Sequence, residues 1–192
     1  MPGDKAFMEV SGRRVIDIQI EVLSAVVDEI LIVGNAARME KLHVYEAEGV
    51  RVVEEPVGGK GPLGGILSGL MLSGSRENFV LACDMPFVRG DAVALVLKQL
   101  AGYQVAVPST PDGLEPLHAA YDSSCREIME AQLEAGDLKV TDFFGKVKVN
   151  LIPWEDLVRL DGSGRLLANI NEPRDMERAA CESPLNGGVK EP

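Results

Sequence analysis

The sequence predicts an α/β protein whose mostly parallel sheet is covered by helices on both faces. Two observations favour this class: short apolar runs of strand length recur along residues 29–109, and stretches with apolar side chains at helical spacing separate them. Strands that alternate with helices build βαβ units, and such units place parallel strands between two helical layers.

The regular part of the pattern extends to residue 109. The predicted helices share apolar side chains at helical spacing and cover residues 15–27, 37–46, 63–72 and 91–100. The predicted strands share short apolar runs and cover residues 29–35, 50–55, 79–83 and 103–109. The run at 79–83 is apolar or small throughout, which is typical of a strand buried on both faces.

The second half of the sequence is less regular. It predicts strands over residues 117–122 and 146–153, a helix over 123–136, and a last helix over 169–180 with Pro173 near its start. Residues 183–192 are rich in glycine, proline and charge, and we expect them to be disordered. With no linker in between, residues 1–182 form a single domain in this interpretation.

Composition excludes several classes of protein. A net charge of −11 argues against a nucleic-acid surface, which needs a basic footprint. The longest apolar runs are of strand length, too short for a membrane span, and the start of the chain is too polar for a secretory signal. Cys83, Cys125 and Cys181 are widely spaced and odd in number, so we expect a reduced, cytoplasmic protein without disulfides.

Asp84 follows the apolar strand 79–83 directly, and Met85 and Pro86 come next. In an open parallel sheet, ligands bind beyond the carboxyl ends of the strands, where Asp84 would lie. A carboxylate at this edge suits Mg²⁺, which binds one or two carboxylates together with phosphate oxygens of a substrate. The alternative is that Asp84 caps the following turn, and the pattern alone leaves both interpretations open.

A glycine-rich segment, GGKGPLGG over residues 58–65, leads into the helix predicted for 63–72. Glycines allow backbone N–H groups to approach a ligand, and the start of a helix attracts anions. The segment matches neither the Walker loop nor the dinucleotide fingerprint, so the pattern alone favours a flexible connector over a binding loop.

Other catalytic classes find little support. There is no G-x-S-x-G motif, and His43 and His118 lie far apart without an H-E-x-x-H motif. We expect His118 to be a structural histidine with its hydrogen bonds satisfied, Cys83 to be a buried thiol, and Lys5 to lie on the surface.

Five segments occur together in one order: PGDKAF, GPLGGILSGL, LACDMPFV, EPLHAAY and NINEPRDM. In this order and spacing they resemble the molybdenum cofactor guanylyltransferases, MobA-like members of the nucleotide-diphospho-sugar transferase superfamily. The resemblance extends to about residue 180. It implies a three-layer α/β/α, Rossmann-like fold with a mostly parallel sheet.

The resemblance also implies an activity: Mg²⁺-dependent transfer of GMP from GTP to the terminal phosphate of molybdopterin, with release of pyrophosphate. Asp84 would hold Mg²⁺, and Lys5 would contact the nucleotide phosphates. The implied nucleotide-binding residues include these two together with Asn35, Glu55, Gly61, Pro62, Leu63 and Gly64. The implied acceptor-binding residues are Glu115, Pro116, Leu117, Asn169 and Asn171. Molybdoenzymes or their chaperones are further partners that the resemblance suggests.

The sequence departs from the family pattern at its start. Family members have a strand and a glycine-rich loop ahead of the segment that begins here at Gly3, and Met1 matches the methionine that ends that loop. We therefore expect two unpaired strand edges, weak GTP binding and little transferase activity from these 192 residues. Either the natural protein begins earlier, or this is a shortened paralogue that binds without catalysis. Use of CTP or of another phosphorylated acceptor is a further alternative.

Overall fold

The computed structural model describes residues 5–162 and 165–170, except for the side chain of Lys5. The predicted last helix, beyond its first two residues, and the predicted disordered tail lie outside this part of the chain.

The strands are short. Their bounds are β1 Glu9–Val10, β2 Arg13–Arg14, β3 Ile30–Gly34, β4 Val50–Glu54, β5 Glu77–Leu81, β6 Val105–Thr110, β7 Gly113–Leu114, β8 His118–Asp122 and β9 Val149–Pro153.

The α-helices connect these strands. Their bounds are α1 Val15–Ser24, α2 Met39–Leu42, α3 Gly61–Leu72, α4 Gly90–Lys98, α5 Arg126–Glu134 and α6 Trp154–Asp161. Turns of 3₁₀-helix cover Lys5–Phe7, Ala36–Arg38, His43–Tyr45, Ser123–Cys125, Val140–Lys146 and Arg165–Leu167. In the described residues, no helix has the length and apolar character that crossing a bilayer requires.

The strands form a parallel pair, a five-stranded sheet and a small hairpin. β3 pairs with β4 in parallel, and β1 pairs with β2. In the larger sheet the order is β5-β8-β6-β9, with β7 beside the end of β6. β5, β6 and β9 run in one direction and β8 runs against them, because the chain returns from β6 through a tight turn. The prediction of a mostly parallel sheet is confirmed, and the exceptions in this sheet are β8 and the two-residue strand β7, which also runs against β6.

Helices cover both faces of the larger sheet. α3 and α5 pack on one face, where Val107 and Tyr121 are fully buried, and α4 and α6 pack on the other, over Ala106 and Ile152. This arrangement confirms the predicted α/β/α layers. Helix α3 also contacts β3, so it spans the larger sheet and the parallel pair.

The prediction that the strand after residue 78 is buried on both faces is wrong. Side chains from Asn78 to Leu81 are only half-buried. In the described part of the chain, β5 pairs with β8 alone and β3 pairs with β4 alone, so each strand has one edge without a partner. The expected pair of open strand edges is confirmed, and the half-burial of β5 follows from it.

Helix α6 has no counterpart in the sequence prediction. It begins at Trp154 immediately after β9, with Glu155 and Asp156 in its first turn, and it ends at Gly162, whose φ of 70° is left-handed. Acids at a helix start and glycine at its end are regular signals. The sequence pattern does not separate this helix from β9, because the apolar run of β9 continues directly into it.

Candidate active site

The carboxyl ends of β3 and β4 place two predicted site residues side by side. Gly34 lies opposite Glu54 in the parallel register, and the N–H of Glu55 donates to the carbonyl of Gly34 at 2.8 Å. Asn35 and Glu55 therefore leave the sheet at the same edge. Asn35 is exposed and Glu55 is half-buried, so a ligand at this edge can reach both.

The glycine-rich segment folds back over the first turn of α3. A Cβ atom on Gly64 would lie 2.7 Å from the carbonyl oxygen of Val57 and 2.8 Å from Cβ of Lys60. Gly64 therefore permits this close approach, which a larger residue would prevent. Gly59 and Gly61 have φ values of 74° and 62°, in the left-handed region that favours glycine.

The start of α3 is suited to an anion. Its N-cap residue is Lys60, and no side chain in the described residues caps the first N–H groups. The helix has 12 residues, so its dipole adds to the attraction of those N–H groups for negative charge. Pro62 and Gly61 are exposed here, whereas the side chain of Leu63 is fully buried in the core.

The turn that carries Asp84 is held from two sides. From α1, the Nε2 atom of Gln19 donates to the carbonyls of Ala82 at 2.7 Å and Met85 at 3.0 Å. From the other end of the chain, the N–H of Ile170 donates to the carbonyl of Asp84 at 2.9 Å. Asp84 is half-buried on this fixed turn, at the carboxyl end of β5 where the sequence predicted it.

The hydrogen bond donated by Ile170 also places Asn169, one of the residues predicted to bind the acceptor substrate, at this edge. Asn169 is exposed and precedes Ile170, which is itself buried. Asn171 and the side chain of Lys5 lie outside the described residues.

Glu115 approaches Asp84 from the turn between β7 and β8. Its N–H donates to the carbonyl of Pro108 at 3.0 Å, and the carbonyl of Leu117 accepts from the N–H of Ala82 at 2.9 Å. Burial raises the pKa of Glu115 above its usual range, and the negative charge of Asp84 raises it further. The two carboxyl groups are therefore close enough to interact electrostatically. Pro116, the next residue, is half-buried. Its carbonyl accepts a hydrogen bond from the hydroxyl of Tyr121 at 2.7 Å.

This donor set fits Mg²⁺ held jointly with a substrate. The described residues contain no cluster of three or more His, Cys, Asp or Glu side chains that could hold a metal without help. Mg²⁺ binds through one or two carboxylates and completes its shell with water and phosphate oxygens. Asp84 and Glu115 supply that number of carboxylates.

His118 lies one layer below this edge. It opposes Leu81 in the β5–β8 register, is fully buried, and meets the Phe79 ring edge-on at a centroid distance of 5.0 Å. Neither ring nitrogen has a hydrogen-bond partner in the described residues. Burial lowers the pKa of His118 to about 3, so the ring is neutral near pH 7. The prediction of a structural histidine is confirmed, and the prediction that its hydrogen bonds are satisfied is wrong.

Two further sequence interpretations change. Cys83 is exposed, not buried, because β5 ends at Leu81 and leaves Cys83 in the turn. The sequence prediction gives Gln19 no role, although it lies three residues after Ile16 on the buried stripe of α1. A polar residue at such a position was the available signal, because buried polar groups require partners.

Comparison with known proteins identifies the family. A family model described as the MobA-like NTP transferase domain matches residues 1–148, more than half of the chain. The chain belongs to this family. Its members are nucleotidyltransferases, so the resemblance recognised in the five sequence segments is confirmed.

Similar proteins carry related names. A relative from Pelotomaculum thermopropionicum, named "Probable molybdenum cofactor guanylyltransferase", is 34% identical over 183 residues, which cover 93% of this chain and 85% of the relative. A molybdenum cofactor guanylyltransferase from Desulfosudis oleivorans is 29% identical over 187 residues, covering 97% of this chain and 89% of that protein.

A solved structure agrees with the fold of this MobA-like domain. Molybdopterin-guanine dinucleotide biosynthesis protein A from Archaeoglobus fulgidus superposes with a TM-score of 0.78 at 25% identity, covering 92% of this chain and 88% of that one.

Proposed function

We propose that this MobA-like domain transfers GMP from GTP to the terminal phosphate of molybdopterin and releases pyrophosphate, with Mg²⁺ as the metal. One observation carries the proposal: the carboxyl groups of Asp84 and Glu115 are close enough to interact beyond the carboxyl end of β5, the kind of edge at which parallel strands bind ligands. The names of the relatives supply the substrates.

The chemistry makes limited demands on the protein. A phosphate oxygen of the acceptor displaces pyrophosphate from the α-phosphorus of GTP, so the reaction needs positioning and charge neutralisation and no covalent nucleophile. In this proposal the N–H groups at the start of α3 bind nucleotide phosphate, and Lys5 adds a positive charge. Asn35 and Glu55 border the guanine nucleotide.

Two carboxylates would hold the metal in this proposal. Asp84 is the principal ligand and Glu115 the second, and bound Mg²⁺ would neutralise charge on the phosphate oxygens. The fixed turn around Asp84 keeps the principal carboxylate at one place on the edge. Asn169, Asn171 and residues 115–117 face the acceptor.

The test compares nucleotides and one substitution. On a chain with the family's first strand and glycine-rich loop restored, thermal shift with Mg²⁺ should show greater stabilisation by GTP than by CTP, and stabilisation by CTP alone would contradict the guanylyl assignment. In that restored chain, Asp84→Asn should abolish Mg²⁺-dependent turnover without unfolding the protein. Asp28→Asn, an exposed change ahead of β3 and hence at the opposite end of that strand, is the matched control. Unchanged turnover in Asp84→Asn would refute the metal role of Asp84.

A further inference from the structure

A second cleft opens at the carboxyl ends of β6 and β9. Its volume is about 400 Å³, within the range of small-molecule sites. Side chains from both strands and from the start of α6 line it, among them Ser109, Leu151, Pro153, Trp154 and Glu155. None of these residues has a role in the site described above.

The cleft and the candidate active site share the carboxyl end of β6. Ser109 lies opposite Pro153 in the β6–β9 register, and the carbonyl of Pro108 accepts a hydrogen bond from the N–H of Glu115. The carboxyl end of β6 therefore borders both the cleft and the candidate active site. Val107 and Val149 pack in the core beneath α3. Because side chains alternate along a strand, Ser109 and Leu151 point to that same face.

The spacing of the sheet sets the distance between the two places. Asp84 follows β5, and in the sheet β5 is separated from β9 by two strands, β8 and β6. Three strand spacings amount to about 14 Å. A ligand with a phosphate at one end and a ring system at the other is of suitable shape to reach from Asp84 into the cleft.

The side chains that line the cleft favour a ligand with a flat, partly polar ring. Trp154 is half-buried and Leu151 is 53% exposed, which provides apolar surface for stacking. The side chain of Glu155, exposed at the rim, can accept two hydrogen bonds from neighbouring N–H groups. The 2-amino group and the adjacent ring N–H of a pterin form such a donor pair.

We propose that this cleft binds the pterin ring of the acceptor, with Trp154 and Leu151 as the stacking surface and Glu155 as the specificity residue. The inference rests on the proposed function for the identity of the acceptor. It adds a ring-binding subsite to a reaction centre that lies at Asp84.

The chain offers a direct readout. Trp154 is the only tryptophan in the sequence, so a change in tryptophan fluorescence on adding pterin reports on the cleft itself. Isothermal titration calorimetry measures the affinity in parallel. Leu151→Glu places a charge on the stacking surface, and Val44→Glu makes the same change at a more exposed apolar residue, 74% exposed, outside the cleft.

We expect pterin to quench Trp154 and to bind about tenfold more weakly to Leu151→Glu, because a carboxylate that the ring covers on binding loses hydration without gaining a partner. Val44→Glu should bind like the parent protein. Lumazine, which has an oxygen in place of the 2-amino group, should bind more weakly than pterin to the parent and equally with pterin to Glu155→Gln.

Two results would overturn the inference: no pterin binding by the parent protein, or equal affinities of the parent, Leu151→Glu and Val44→Glu. GTP binding, measured by thermal shift on the same samples, separates this inference from the proposed function. Pterin binding that depends on Leu151, in a protein that GTP does not stabilise even with the family's first strand and glycine-rich loop restored, would support the cleft and contradict guanylyl transfer.

Discussion

Replacing His118 with leucine should make the protein less sensitive to acid. His118 is fully buried, and neither of its nitrogens has a partner in the described residues. Leucine is close to histidine in volume and has no polar atoms to satisfy. At neutral pH we therefore expect His118→Leu to be as stable as the parent or more stable by about 1 kcal/mol.

The pH dependence of folding stability follows from the lowered pKa of His118. The pKa of His118 is about 3 in the folded protein, against an ordinary value of 6.5 that applies when the chain unfolds. Below pH 6.5 the unfolded chain binds a proton that the folded protein does not, so stability falls as the pH falls towards 3. Between about pH 7.5 and about pH 5, this one group should cost about 2 kcal/mol.

The assay is urea unfolding of the parent and the variant at both pH values. Subtracting the two pH differences removes the contributions of all other groups and leaves that of His118. Val44→Leu, an exposed change that leaves both histidines in place, is the control and should retain the parent's pH dependence. If His118→Leu lost as much stability on acidification as the parent, the buried neutral state of His118 would be refuted.

Two other substitutions test the architecture of the site. Gly64→Ala should destabilise the protein by about 1–3 kcal/mol and weaken GTP binding, because its Cβ would clash with the carbonyl of Val57. Gly65→Ala, which has no neighbour within 4 Å, should instead be neutral or stabilising in the same urea titration, and equal effects would contradict this packing. Gln19→Leu should cost about 1–3 kcal/mol and lower turnover, since two buried carbonyls beside Asp84 would lose their donor. Unchanged stability of that variant would show that the turn does not depend on Gln19.

The order of elements in the first half of the chain was predictable because local patterns determine it. β3 and β4 are short apolar runs, and the glycines that precede α3 mark its start. The direction of β8 was not predictable from the same patterns. It depends on pairing with β5 and β6, which are distant in sequence.

The candidate site was predictable to the same extent as the fold, where a local pattern marks a residue. Asp84 could be located because a carboxylate at the end of an apolar strand is a local signal. Its interaction with Glu115 depends on the antiparallel return of β8, and its support by Gln19 and Ile170 depends on both ends of the described chain. Such long-range contacts leave little trace in a single sequence.

The double anchoring of the Asp84 turn has a consequence for biosynthesis. Gln19 emerges from the ribosome well before the turn that it holds, and Ile170 emerges well after it. A nascent polypeptide can pair Gln19 with that turn early, but the second anchor forms only after residue 170 has left the ribosome. The Asp84 turn should therefore become fully anchored later than the strand that precedes it, in keeping with the slow formation of contacts between distant parts of a chain.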